Sequence, residues 1–211
     1  TTTYNNIYIY AVPTTEEVVS VTSNSRFLSE AQRSAILSSI ESNKMISHEP
    51  VIMDPVYILT APCLSVPGEQ FTTDLNDKTR IKVIKTVRTS RDDAALKQEI
   101  SQAIYTYFTK SKLGMLVNIR ELVDVLLNIS GVDQIKTCRS DIQFETDGLS
   151  LAYWNPIYET DFTISTQNVQ LPYFKYVTLS DLTGMYDKID IVSNDQTTET
   201  YNDIVETSTT E

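Results

Sequence analysis

The stretch Asp92-Asp93-Ala94-Ala95-Leu96-Lys97-Gln98-Glu99-Ile100-Ser101-Gln102-Ala103-Ile104-Tyr105-Thr106-Tyr107-Phe108 decides how this chain folds. Leu96, Ile100, Ala103, Ile104, Tyr107 and Phe108 recur at i, i+4, i+7, i+8, i+11 and i+12, the spacing of one face of an α-helix. A stripe that continuous needs an apolar surface to lie on, so the segment predicts a helix packed on a core. Ser90 stands where a cap belongs, and Asp92 and Asp93 put negative charge at the positive end of the helix dipole. Lys110 and Lys112 follow at the other end, and Gly114 is expected to terminate the element in a left-handed conformation.

Working outward, Thr79 to Arg88 reads as a strand with Ile81, Val83 and Val87 on one face and Arg80, Lys82, Ile84 and Arg88 on the other. Downstream, Asn118 followed by Glu121 opens a second helix whose stripe is Ile119, Leu122, Val123, Leu126 and Leu127. It closes at Ser130-Gly131, and Val132 to Cys138 returns as a strand. Residues 4 to 12 are aromatic and β-branched and stop at Pro13, as a strand does. Ser29-Glu30-Ala31-Gln32 fits a capping box, and Ala35, Ile36 and Ile40 give the stripe of a further helix. Val51 to Thr60 is apolar on both faces and predicts a strand covered on both sides, with Pro55 pushing it toward an edge or bulge. Glu69 to Lys78 is polar and expected to be a surface loop.

The chain has 211 residues, 41% of them apolar and 21% charged, which is the composition of an ordinary globular protein. It opens on Thr1 rather than Met and reads as a piece of a longer protein. No run of eighteen apolar residues is present, so no membrane is expected as a partner. A net charge of −11 opposes binding to phosphate backbones, so no nucleic acid is expected either. Six of the seventeen basic residues do fall between Lys78 and Arg91. That cluster reads as a solvated sheet face, as a face for an acidic partner or the acidic tail, or more weakly as a nucleic-acid contact.

The residues that would carry chemistry are scarce. One histidine, His48, sits in an expected turn, which leaves no HExxH site and little prospect of a Ser–His triad. Cys63 and Cys138 belong to no CxxC pair and stand near no histidine, which argues against a metal site; two free thiols are expected, with one disulfide between them as the alternative. No phosphate-cradling glycine loop occurs, and the carboxylate pairs Asp92-Asp93 and Glu16-Glu17 have simple explanations as a helix start and a solvated loop. The expectation is a non-enzymatic protein with no catalytic residue, no cofactor and no metal.

Beyond Ser140 helical periodicity stops. Tyr153, Trp154, Tyr158, Phe162, Tyr173, Phe174 and Tyr176 crowd a short span, where they can form a core, a protein interface or a sugar-stacking platform. Tyr153, Trp154, Tyr158, Tyr173, Phe174 and Tyr176 are the candidate interface residues, and the span 141–180 is expected to contribute to a two-fold dimer. From Tyr186 to Glu211 seven acids stand against one lysine, the composition of a flexible tail. The fold expected is α+β: a mixed, mainly antiparallel sheet packed by three helices. Its divisions are an α+β domain at 1–140, a β-rich or irregular extension at 141–185 and an acidic flexible tail at 186–211.

Three stretches, in this order, carry a resemblance to a known family. Leu28-Ser29-Glu30-Ala31-Gln32-Arg33-Ser34-Ala35-Ile36 leads toward Met53-Asp54-Pro55-Val56-Tyr57-Ile58. The helix Ala94 to Phe108 is followed by Ser111-Lys112-Leu113-Gly114-Met115. Leu122-Val123-Asp124-Val125-Leu126-Leu127 runs into Ile129-Ser130-Gly131-Val132-Asp133. Together they make residues 5–140 resemble the C-terminal half of baseplate J-like proteins, more narrowly the wedge subunit of T4-type contractile phage tails. The polar insertion Glu69 to Lys78 and everything past 140 depart from that pattern. The resemblance implies a structural scaffold of the virion's tail baseplate, assembled in the host cytoplasm through contacts with itself and with other baseplate wedge proteins. It implies a part in baseplate conformational switching and brings no catalytic residue. The alternative class is a receptor- or carbohydrate-binding tail module.

Overall fold

A computed structural model describes residues 5–13, 27–41, 43, 48–69, 72–87, 89–156, 163–180 and 184–193. The N-terminal elements are β1 (Asn5–Tyr10), α1 (Glu30–Glu41), β2 (His48–Met53), β3 (Val56–Pro62), α2 (Thr73–Lys78) and β4 (Thr79–Lys85). The middle of the chain supplies α3 (Asp93–Thr109), β5 (Leu116–Val117), α4 (Ile119–Leu127) and β6 (Val132–Arg139). There follow β7 (Glu145–Asp147), β8 (Leu151–Trp154), β9 (Thr163–Ser165), β10 (Val169–Gln170) and β11 (Lys175–Leu179). A short 3-10 helix at Tyr186–Lys188 leads into β12 (Ile189–Ser193).

These strands build two four-stranded sheets, β11-β3-β8-β9 and β12-β4-β6-β7, with β1-β2 and β10-β5 as separate two-stranded ladders. The β1–β2, β3–β11 and β4–β12 pairs are parallel, and the others are antiparallel. The fold is therefore α+β with mixed, mainly antiparallel pairing, in two sheets rather than one. One extended segment serves both sheets: β7 pairs with β6, and β8, three residues further on, pairs with β3. At the crossing the Thr137 hydroxyl donates to the Gly148 carbonyl at 2.9 Å and accepts from the Ser150 N–H at 3.0 Å. The backbone groups freed by the change of sheet are thus satisfied inside the protein.

The main core lies where both sheets meet α3 and α4. Leu96, Ile100, Ile104 and Phe108 of α3 are buried, as the helical stripe requires, and Ile119, Leu122 and Leu126 of α4 join them. Ile81 and Val83 from β4, Ile58 from β3, Val177 and Leu179 from β11 and Ile189 from β12 fill the other side. Asp92, not Ser90, caps α3, its carboxylate accepting from the Ala95 N–H at 3.3 Å. Asn118 caps α4 by accepting from the Glu121 N–H at 3.1 Å.

Several expectations are corrected. Val51 to Thr60 is two strands, because Asp54-Pro55 interrupts the ladder between β2 and β3. Glu69 to Lys78 is not all loop: α2 forms there because Leu75 plugs a second apolar cluster of Ala61, Cys63, Ala152 and Trp154. A fourth helix is thereby added to the three expected. Gly114 does not end α3, which stops at Thr109; it lies in the following turn at φ +63°. There its N–H donates to the Lys175 carbonyl, and a Cβ would stand 2.9 Å from the Tyr173 Cα. His48 begins β2 instead of occupying a turn. The α1 capping box forms, yet Ala35 is exposed and the helix buries no residue. Strand pairing also crosses the boundaries read from composition at 140 and 186. β8, β11 and β12 complete the sheets of β3 and β4, so 186–193 is ordered structure, whereas 194–211 lies outside the described residues.

Candidate interaction surface

The aromatic cluster is split by the pleat of β8 and by the sheet it belongs to. Tyr153 faces the main core and Trp154 faces the cluster beneath α2, because successive strand residues point to opposite sides. Both sides of that sheet are covered, so both residues are buried. Tyr176 is buried too, its ring 5.7 Å from that of Tyr57. These three candidate interface residues belong to the interior instead. Phe174 is half-buried and touches Tyr10 at 6.0 Å between ring centroids. Tyr173 alone of the described candidates is open, at 72% exposure, with Tyr10 edge-on at 5.8 Å. Tyr158 lies outside the described residues.

The basic strand meets acids in its own sheet. The cross-strand row Asp190–Lys82–Lys136–Asp147 runs across β12, β4, β6 and β7, with an acid at each end of two neighbouring lysines. Glu145 bridges both lysines, accepting from Lys82 at 2.9 Å and from Lys136 at 2.7 Å, which lowers its own pKa. Lys85 pairs with Asp93 at 2.7 Å, and Arg91 pairs with Glu99. Arg139, buried beside this row, binds Asp141 in a two-pronged fork at 2.9 and 2.6 Å and also binds Glu69. Its hydrogen bonds hold both carboxyl groups below their ordinary pKa. Four members of the basic cluster, Lys78, Lys82, Lys85 and Arg91, thus meet a carboxylate, whereas Arg80 donates to the Asp77 and Thr79 carbonyls and Arg88 lies outside the described residues.

A groove of about 770 Å³ runs over the outer side of α3 and α4 and past β5. Its walls include Ala95, Ala103, Met115, Leu116, Val125 and Ile129. Leu116 is 46% and Val125 42% exposed, a large apolar offering for solvent-facing positions. The charged groups in the lining are Glu99, which Arg91 engages, Lys110 and Glu121. The groove residues escape a reading based on one stripe per helix. The signal present in the sequence is an excess: Val125 is apolar although Ile119, Leu122 and Leu126 already supply the buried face of α4.

Among the described residues no set of three or more His, Cys, Asp or Glu is placed to hold a metal ion. Burial pushes the Cys63 thiol up to about 11, away from the thiolate form that reacts. Among the described residues no helix is long and apolar enough to cross a membrane. No protein-family model matches the chain, and no curated protein matches it in sequence.

Proposed function

We propose that this chain is a structural, non-enzymatic subunit of a phage contractile-tail baseplate, resembling the wedge subunit of the baseplate J-like family. It works by binding itself and other wedge proteins in the virion, and it contributes to the switching of the baseplate between two packings of its interfaces. The observation that carries this reading is the open apolar groove over α3 and α4, which offers contact area and few ionic groups. The occupant we assign is an apolar helix of a neighbouring wedge subunit. The net charge of −11 favours one flanked by basic residues. The test mixes the purified chain with each wedge protein of the same baseplate and follows co-elution. One wedge protein is expected to bind, and Val125→Glu, at an exposed position, to weaken it at least tenfold at an unchanged melting temperature. If no wedge protein binds at high micromolar concentration, the reading fails.

The second reading, a receptor- or carbohydrate-binding tail module, is favoured by the exposed ring of Tyr173 beside Tyr10. A glycan array with the wild type and Tyr173→Ala separates the two: the scaffold reading expects no hits from either protein.

A further inference from the structure

We propose that the outer edge of β1 is a strand-addition site whose occupant is β1 of a second copy of this chain. The inference rests on the scaffold reading and supplies a surface for its self-association. The β1–β2 ladder has two parallel strands, whereas parallel strands are ordinarily covered on both faces and flanked on both sides. Here Ile7 is 48% and Tyr8 56% exposed.

The two edges of the ladder are not equivalent. The Ala11 N–H donates to the Met53 carbonyl, so by alternation Ile9, Ile7 and Asn5 also turn their backbone groups toward β2. On β2 the groups of Glu49, Val51 and Met53 face β1, and those of His48, Pro50 and Ile52 face away. That far edge is blunted. Pro50 has no N–H to offer there, and Arg33 donates to the Ile52 carbonyl at 3.0 Å while pairing with Asp54 at 2.5 Å. Among the described residues the far edge of β1 has no such guard. Asn6, Tyr8 and Tyr10 direct their N–H and carbonyl groups outward, and among the described residues no strand pairs with them. Asn5–Tyr10 contains no proline and no Asp, Glu, Lys, Arg or His.

Charge selects the occupant. Two copies carrying −11 each repel over most of their surface, and a basic partner is drawn to acidic groups. β1 carries neither sign, so it does not repel its own copy and offers nothing to a basic partner. A two-fold axis through Tyr8 sets Tyr8 against Tyr8 of the second copy and Asn6 against its Tyr10. Every outward-facing residue is then in a hydrogen-bonded pair, about six bonds in all. The product is a four-stranded sheet of order β2-β1-β1-β2.

Sedimentation of the wild type, Tyr8→Pro and Tyr8→Cys tests this. Proline at position 8 removes an outward N–H and leaves the β1–β2 ladder its bonds, which the melting temperature checks. The expected result is a wild-type dimer that Tyr8→Pro weakens at least tenfold. Tyr8→Cys is expected to cross-link under mild oxidation, because such pairs hold their Cα atoms about 5.5 Å apart, within disulfide reach. A wild-type dimer that survives Tyr8→Pro with no cross-link through Tyr8→Cys overturns the site and leaves self-association to another surface. A wild type that stays monomeric at high micromolar concentration overturns the inference, while wedge-protein binding judges the scaffold reading separately. Should Tyr8→Pro lower the melting temperature, the cross-link alone decides.

Discussion

Tyr153 and Trp154 are adjacent in sequence, yet each is enclosed by a different set of side chains, and different substitutions probe them. Trp154→Ala empties a large volume next to Leu75 and Cys63 and is expected to cost about 3–5 kcal/mol in urea unfolding. A loss below about 1 kcal/mol would place the ring at the surface instead. Tyr153 behaves differently, because among the described residues its buried hydroxyl has no hydrogen-bond partner. Removing that oxygen relieves a desolvation cost, so Tyr153→Phe is expected to hold or raise the melting temperature. Cys63 offers a third probe. With its thiol pushed up to about 11 by burial, it stays protonated at pH 8 and is expected to resist thiol reagents until urea exposes it. Prompt labelling of Cys63 in the native protein would contradict its enclosure.

The helices differ in what holds them, which decides how much of each is legible in the sequence. α4 has a cap and a clamp: Asn118 accepts from Glu121, while the Tyr107 hydroxyl accepts from the Asn118 N–H at 2.9 Å and donates to its carbonyl. Asn118→Ala is expected to cost about 0.5–2 kcal/mol, with Tyr107→Phe adding to it, as read by thermal unfolding. Helices α3 and α4 are legible because charge and stripe agree at Asp92, Leu96 and Ile100 and cap and stripe agree at Asn118 and Leu122, although the α3 cap falls on Asp92 and not on Ser90. Helix α2 is not, since one residue, Leu75, anchors it in a pocket made by residues distant in sequence. No local pattern announces that. The interface assignment of Trp154 fails for a related reason: an aromatic-rich span looks alike whether a partner or a sheet's own second face covers it. The guarded edge of β2 escapes the sequence reading, because Pro50 falls in the span read as a turn and Arg33 reaches Ile52 across 19 positions.

Across the whole molecule, acid acts on carboxylates that the fold holds in ion pairs. Glu69 and Asp141 are held below their ordinary pKa by hydrogen bonds from Arg139, and Glu145 by hydrogen bonds from Lys136 and Lys82. Depressed carboxylates contribute stability that is present above their unfolded values of about 4 and lost as pH falls through the lower folded values. The melting temperature is therefore expected to hold between pH 7 and about 5 and to drop below about 4. Arg139→Met should flatten that drop while lowering stability at pH 7, and an unchanged acid profile would disconnect the arginine from it. The sheet topology has a consequence of another kind, for the order of synthesis. β3 and β4 receive their parallel neighbours β11 and β12 from more than a hundred positions later. At about 5–20 residues per second a ribosome needs on the order of ten seconds to deliver them. During that interval β3 and β4 wait with an open side. A message truncated before Ser193 yields a polypeptide that cannot close its second sheet, a ready substrate for holdase chaperones and quality-control proteases.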